Sequence, residues 1–271
     1  MKKSKKVIIE SIVLAILAMV IGSVMANIVT SHILCNISTK DAIANIILDF
    51  MIIVSQILVL TFNYKKKWHQ NTRIDNVKKN IPLAVGCFGL AGIMVGLSYV
   101  VLQKGGIINY LGSGFKFDKR TEVYTFVVIL FVRMLIVGIA EELLFRGVLA
   151  RHMLELWGRK IAVILSTLIF TVFHCMVIQC WSQVTDIFFL GLIFGIIYVK
   201  TGSIVCPIAF HFGIDFFTNL VGMRGQVALF LIEAERGESY VVSNLFFAMS
   251  ICAIVVLLGI WLLRILQKEK E

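Results

Sequence analysis

The sequence predicts an all-α polytopic membrane protein with about eight transmembrane helices, and three observations support this prediction. Apolar side chains make up 59% of the 271 residues and charged side chains 15%, whereas soluble proteins contain about 45–50% apolar and about 25% charged residues. Apolar stretches long enough to cross a bilayer, which takes about 20 residues, recur along the chain. Only two prolines occur, which argues against disordered tails and added soluble domains.

Eight apolar runs, separated by polar or charged turns, are the predicted transmembrane helices. They cover residues 7–29, 43–62, 81–102, 123–156, 160–180, 184–199, 203–222 and 243–265. The first run follows the basic segment MKKSKK, which is also typical of a signal peptide. Its length and Glu10 favour a retained helix.

Basic residues in the turns predict the orientation of these helices. The amino terminus and the turns on its side of the membrane carry 17 lysines and arginines, and the turns on the opposite side carry seven. Because connections rich in Lys and Arg stay in the cytoplasm, both termini are predicted to be cytoplasmic. The same clustering accounts for the net charge of +10 without a nucleic-acid partner. The expected partner is the lipid bilayer, in the plasma membrane of a prokaryote.

Ionisable side chains inside membrane helices are costly, so each is expected to be paired or functional. The apolar runs contain Glu10, Asp49, Arg133, Glu141, Glu142, Arg146, His174, Asp186, His211 and Asp215. Glu10, Asp49 and Asp186 are isolated along the sequence. We interpret these three as snorkelling or locally hydrogen-bonded side chains.

The segment around residue 141 predicts one ion pair and one free carboxylate. Glu142 precedes Arg146 by four residues, which puts the two side chains on one helical face in the favoured order for an ion pair. Glu141 is rotated by about 100° from this face. It therefore remains available to bind a proton or a water molecule.

Two further pairs of side chains stand one helical turn apart. Phe170 precedes His174 by four residues, and His211 precedes Asp215 by four, with Asn219 one more turn along the same stripe. Residues one turn apart share a helical face. Two histidines and two acids are therefore expected to face inward within apolar runs.

The length of the fourth helix decides whether these groups can meet. A helix that continues through Arg146 to about Leu156 carries Glu141 about 22 Å into the membrane from the cytoplasmic end. A helix that ends at Ala140 would leave Glu141 at the interface. We predict the long helix, with a site that opens toward the cytoplasm.

A carboxylate beside two imidazoles has the chemistry for amide hydrolysis. It can take a proton from water and pass it to a leaving amine, while the imidazoles stabilise the oxyanion. The same residue types also ligate zinc, although the sequence lacks an HExxH motif. The alternative is three unrelated polar contacts between packed helices.

The motifs resemble those of a known family, the CPBP intramembrane proteases, also called CAAX proteases and bacteriocin-processing enzymes or Abi proteins. This family includes the type II CAAX prenyl endopeptidases. Its motifs EExxxR, FxxxH and Hxxx(N/D) match Glu141-Glu142 with Arg146, Phe170 with His174, and His211 with Asp215. The resemblance makes residues 123–222 the catalytic core. Residues 1–122 are helices without a motif, and residues 223–271 form a loop and the last helix.

The resemblance implies roles for the matched residues. Glu141 would activate the attacking water and His174 would assist it, while His211 and Asp215 would hold the oxyanion or orient the water. Glu142, Arg146, Phe170 and Asn219 are the expected supporting residues. No cofactor is expected, because one glutamate and two histidines can supply the proton transfers.

A zinc site is the alternative to this metal-free chemistry. Its ligands would be Glu141, His174, His211 and Asp215. Asp215 stands where asparagine is commoner in the family, and an anionic side chain suits a metal or a protonated histidine better than an oxyanion.

The predicted function is an intramembrane endopeptidase that acts on a peptide or protein substrate. A prenylated CAAX protein, a leader peptide and a membrane remnant each fit the sequence. A non-proteolytic bacteriocin-immunity or regulatory partner protein is the second hypothesis. A proton-coupled transporter is the third, and the lack of paired helices broken by Gly or Pro in two halves argues against it.

Overall fold

The computed structural model describes residues 2–33, 37–64, 77–174 and 180–268. Over these ranges the chain is mostly helical. The helices are α1 (Lys2–Ile33), α2 (Ile37–Tyr64), α3 (Val77–Lys104), α4 (Arg120–Glu142), α5 (Arg151–His174), α6 (Trp181–Thr201), α7 (Val205–Asn219) and α8 (Glu238–Lys268). A π-helical segment, Leu143–Ala150, joins α4 to α5 without a break.

The chain is an integral membrane protein of the helical polytopic class. In the described ranges, five helical runs are long and apolar enough to cross a membrane. They are Ile46–Asn63, Lys78–Lys104, Arg120–His174, Trp181–Thr201 and Glu238–Leu262. Among the other predicted spans, α7 has 15 residues, which is about 22 Å of helix against about 30 Å of hydrocarbon. The number of eight spans stays a prediction.

The run from Arg120 to His174 contains two predicted helices. The first continues through the π-helical segment, so the prediction of a long fourth helix is confirmed and the alternative end at Ala140 is wrong. The second begins after a kink at Gly158, whose φ of 77° suits glycine because it has no Cβ. The predicted carboxyl end of this second helix, beyond His174, lies mostly outside the described residues.

The described residues also form a small sheet, and the sequence did not predict this sheet. Its strands are β1 (Asn109–Ser113), β2 (Val221–Met223) and β3 (Phe230–Glu233), in the order β1-β3-β2. β3 pairs antiparallel with β1 and parallel with β2. The sheet thus connects the end of α3 to the segment between α7 and α8.

The two ends of the helical bundle differ. α3, α5 and α7 end near the sheet, and α6 and α8 begin there; we call this the sheet end. We call the opposite end the terminal end. The start of α1 lies there, because the Ser4 hydroxyl donates to Glu155 near the start of α5 at 2.7 Å. α8 runs away from the sheet, so its carboxyl end also lies at the terminal end.

Candidate active site

The predicted pair of Glu142 and Arg146 forms a fully buried ion pair. Nη1 of Arg146 donates to Oε1 of Glu142 at 2.7 Å, and both side chains are 0% exposed. Nη2 of Arg146 donates to the backbone carbonyl of Gly191 at 3.0 Å. The guanidinium carbon also lies 4.6 Å from the ring centre of Phe170 and 4.9 Å from that of Phe194. Arg146 therefore ties the π-helical segment to α5 and α6.

Glu142 also holds a histidine of α7. Nδ1 of His211 donates to Oε1 of Glu142 at 2.9 Å, and the imidazole stacks on Phe194 with ring centres 4.8 Å apart. Because Nδ1 is engaged, Nε2 of His211 is the nitrogen that can serve a bound molecule. The spacing of the sequence predicted only Arg146 as a partner of Glu142, and His211 is a second partner.

α4 and α7 pack closely near this contact. Gly138 lies one turn before Glu142, and a Cβ at this position would be 3.4 Å from the backbone nitrogen of Phe212 and 3.5 Å from the carbonyl oxygen of Ile208, which is ordinary van der Waals contact. The backbone of α7 therefore lies directly beside α4 where Glu142 reaches His211.

Glu141 lies between the two histidines. Its Oε2 is 3.4 Å from Nε2 of His174 and 3.7 Å from Nε2 of His211. Nδ1 of His174 donates to the backbone carbonyl of Phe170 at 2.8 Å, one turn earlier on α5. Both imidazoles thus engage Nδ1 elsewhere and present Nε2 to one carboxylate.

Asp215 and Asn219 complete the inward stripe of α7. Oδ2 of Asp215 lies 3.4 Å from Nε2 of His211. The amide of Asn219 donates to the backbone carbonyl of Asp215 at 2.8 Å, which supports the last turn of α7. Asp215 therefore contacts His211 directly, whereas the amide of Asn219 bonds to the backbone of α7.

The predicted site residues line one cavity of about 190 Å³. Its walls include Glu141, Phe170, His174, His211, Asp215 and Asn219. Glu142 and Arg146 lie behind this layer, with no exposed surface. The structure therefore brings together all eight predicted residues, six at the cavity and two beneath it.

Asp186 also lines this cavity, although it was not among the predicted site residues. The expectation of a snorkelling or locally bonded side chain is wrong, because Asp186 is 1% exposed and lines the cavity. Its Oδ1 has no hydrogen-bond partner within the described part of the chain. A buried acceptor that faces a cavity is available to a bound molecule.

The other two isolated acids have different outcomes. Oε2 of Glu10 accepts a hydrogen bond from Asn63 at 2.7 Å, and Oε1 lies 3.4 Å from Nζ of Lys6, so local bonding is confirmed. Asp49 on α2 is buried, with 7% of its surface exposed, so it does not snorkel. Neither residue lines the cavity around Glu141.

Comparison with known proteins agrees with this geometry. Residues 123–217 match the family model of the type II CAAX prenyl endopeptidases, Rce1-like. This segment is similar to the Rce1-like family. The resemblance drawn from the three motifs is thereby confirmed for the part of the chain that holds Glu141, His174, His211 and Asp215.

The curated relative that we compare has no described function. The uncharacterized protein YpbD of Bacillus subtilis (strain 168) is 34% identical over 99 residues. These residues are 36% of this chain and 46% of YpbD, so the match covers less than half of the relative. The Rce1-like segment is therefore the region on which a functional proposal must rest.

The zinc alternative concerns the donor atoms around Glu141. Among the described residues, no group of three or more His, Cys, Asp or Glu side chains has an arrangement that could hold a metal ion. The metal-free chemistry and the zinc site both stay predictions.

The cavity of the Rce1-like segment lies toward the sheet end of the bundle. His174 is the last described residue of α5, and Asp215 is one turn from the end of α7. The start of α1 and the end of α8 lie at the opposite end. Cytoplasmic termini and a site that opens toward the cytoplasm both stay predictions.

Proposed function

We propose that this chain is an intramembrane endopeptidase that hydrolyses peptide bonds of a membrane-associated substrate with a water molecule activated by Glu141. The observation that carries this proposal is the position of Oε2 of Glu141, within 3.7 Å of Nε2 of both His174 and His211. This carboxylate faces a cavity inside a membrane bundle. The Rce1-like segment supports the assignment to peptide hydrolysis.

In the first step, a water molecule between Glu141 and His174 attacks the peptide carbonyl carbon. Glu141 accepts one proton from the water, and the oxygen forms a bond to the carbon. The electron pair of the carbonyl double bond moves to its oxygen, which becomes an oxyanion. Nε2 of His174 orients the water, because the ring is held by its bond to the carbonyl of Phe170.

In the second step, the tetrahedral intermediate collapses. The oxyanion re-forms the carbonyl, the carbon–nitrogen bond breaks, and Glu141 passes its proton to the leaving nitrogen. The products are a carboxylic acid, which keeps the second proton of the water until it ionises, and an amine. The enzyme returns to its starting state without a covalent intermediate.

His211 stabilises the oxyanion in this scheme. Its Nδ1 donates to Glu142, so in the protonated ring the second proton, on Nε2, points toward the cavity. A donor that is held in place before the reaction stabilises developing charge without reorganisation. Asp215, 3.4 Å from the same nitrogen, balances the positive charge of a protonated ring.

The proposal is tested with purified protein in lipid vesicles and a mixed library of peptides. Mass spectrometry identifies new carboxyl and amino termini, and the same library is incubated with the Glu141→Gln variant. Products that appear with the parent protein and not with the variant support the proposal. Identical products from both proteins, or no products from a folded parent over a broad library, contradict it.

A further inference from the structure

A second cavity lies beside the site around Glu141, toward the sheet. Its volume is about 540 Å³, and it shares Gln183, Thr218, Asn219 and Phe246 with the catalytic cavity. Because four residues belong to both walls, the two cavities adjoin each other at the end of α7. We call the second cavity the vestibule.

The outer walls of the vestibule come from connections at the sheet end. Gly222, Gln226, Val227 and Ala228 lie between α7 and β3, and Glu238 begins α8. Gln226 and Glu238 are exposed. The vestibule is therefore open where the chain leaves the bundle near the sheet.

Distances along the helices favour the same exit. Asp215 is four residues before the end of α7 and ten after its start, or about 6 Å from the sheet end and about 15 Å from the other end. His174 is 14 residues beyond Lys160, or about 21 Å from the terminal end of α5. Water and substrate therefore reach the site by a shorter path from the sheet end.

The basic residues identify which side of the membrane this is. In the described ranges, the helix ends and connections at the terminal end carry 12 lysines and arginines, against seven at the sheet end. Ser4, bonded to Glu155, and Lys200, at the end of α6, mark the cytoplasmic end by this rule. The sheet end is then the extracytoplasmic end.

We propose that the catalytic cavity opens through the vestibule to the extracytoplasmic face, and that the substrate is a peptide segment presented from that face. This inference rests on the proposed function where it calls the peptide a substrate. The direction of the opening is independent of that function. The carboxyl-terminal tail of a cytoplasmic protein would have to cross about 21 Å of packed helix to reach His174. Secreted peptides and extracytoplasmic segments of membrane proteins meet no such barrier.

The direction of the opening is tested by labelling cysteines in cells that produce the full chain. The variant Gln226→Cys places a thiol at the vestibule, and Lys200→Cys is the matched control at the other end; both positions are exposed. Intact cells are treated with a membrane-impermeant maleimide, and the labelled peptide is identified by mass spectrometry. This readout distinguishes the new thiols from the native cysteines.

The expected result is at least about tenfold stronger labelling of Gln226→Cys than of Lys200→Cys in intact cells, with both labelled after permeabilisation. Equal labelling in intact cells, or stronger labelling of Lys200→Cys, overturns the proposed direction. Neither outcome depends on catalysis.

A second measurement separates this inference from the proposed function. Sealed right-side-out vesicles receive a cleavable peptide on the outside only, with Glu141→Gln vesicles as the control. Cleavage by the parent alone supports an outward-facing catalytic site. If Gln226→Cys is labelled from outside and the parent cleaves no peptide even in detergent, the proposed function fails while the direction of the opening stands.

Discussion

The carboxylate of Glu142 fixes the imidazole of His211, because its Oε1 accepts the Nδ1 hydrogen of that ring at 2.9 Å. The same oxygen accepts a hydrogen bond from Arg146 at 2.7 Å. The neighbouring acid, Glu141, contacts the other nitrogen of His211 from the cavity side, at 3.7 Å. Glu142 thus contacts His211 from the packed interior, and Glu141 contacts it from the cavity. We expect substitutions of the two glutamates to have different effects.

The variant Glu141→Gln is expected to lose hydrolysis and to keep its fold. A glutamine amide does not accept a proton from water, and loss of a general base lowers rates by about 10²- to 10⁴-fold. The melting temperature in detergent should stay that of the parent. Glu155→Gln is the matched control, because Glu155 lies on α5 outside the cavity. Parental activity of Glu141→Gln would contradict the proposed role.

Substitution of the buried ion pair is expected to reduce stability as well as activity. Glu142→Gln and Arg146→Met each leave one buried charge without its partner, which typically costs about 3–5 kcal/mol. Thermal unfolding in detergent should show a lower melting temperature for both variants. Activity should fall too, because His211 loses a charged acceptor or its surroundings repack. A parental melting temperature in both variants would show that the pair does not support the fold.

Replacement of Asp215 distinguishes metal-free from metal-dependent hydrolysis. In the metal-free scheme, Asp215→Asn keeps activity within about tenfold of the parent, because an amide can still bond to Nε2 of His211 or to water. If the site uses zinc, an amide ligates it poorly, and metal and activity are lost together. The measurement combines kinetics with the metal content of the purified protein. Near-stoichiometric zinc that leaves together with activity would contradict the metal-free scheme.

The variant Gly213→Ala is expected to destabilise the bundle by separating α3 from α7. A Cβ at Gly213 would lie 2.7 Å from Cβ of Ala91 and 3.1 Å from the carbonyl oxygen of Phe88. Overpacking of this kind typically costs about 1–3 kcal/mol.

Gly89→Ala, at a glycine of α3, is the control for this substitution. A Cβ there meets no atom within 4 Å among the described residues, so its melting temperature should equal or exceed that of the parent. If Gly213→Ala matches Gly89→Ala in thermal unfolding, the close contact between α3 and α7 does not limit stability.

The sequence predicted the helical membrane class and the convergence of Glu141, His174 and His211, because both depend on local patterns. Apolar runs report membrane helices, and a spacing of four residues places side chains on one face. The pair of Glu142 and Arg146 followed from the same spacing.

Other features depend on contacts between distant segments, which no spacing encodes. Asp186 looked isolated because its neighbours in the cavity come from α4, α5, α7 and α8. The second partner of Glu142 lies 69 residues away. The position of the cavity toward the sheet end follows from where Asp215 lies on α7, and element boundaries are hard to read from apolar runs. The three strands have only five, three and four residues, which is too short for a clear alternating pattern in the sequence.

The π-helical segment Leu143–Ala150 makes the length of this part of the chain critical. All eight of its residues are buried, and it joins the turn that carries Glu141 to the stretch that continues toward Glu155. A transmembrane helix normally accommodates one residue more or less by a change of tilt. Here, deletion of one residue would rotate the two halves against each other, so that Glu141 or the packed face around Arg146 would point away from its present partners. We infer that insertions and deletions are tolerated far less between residues 143 and 150 than elsewhere in α4 and α5.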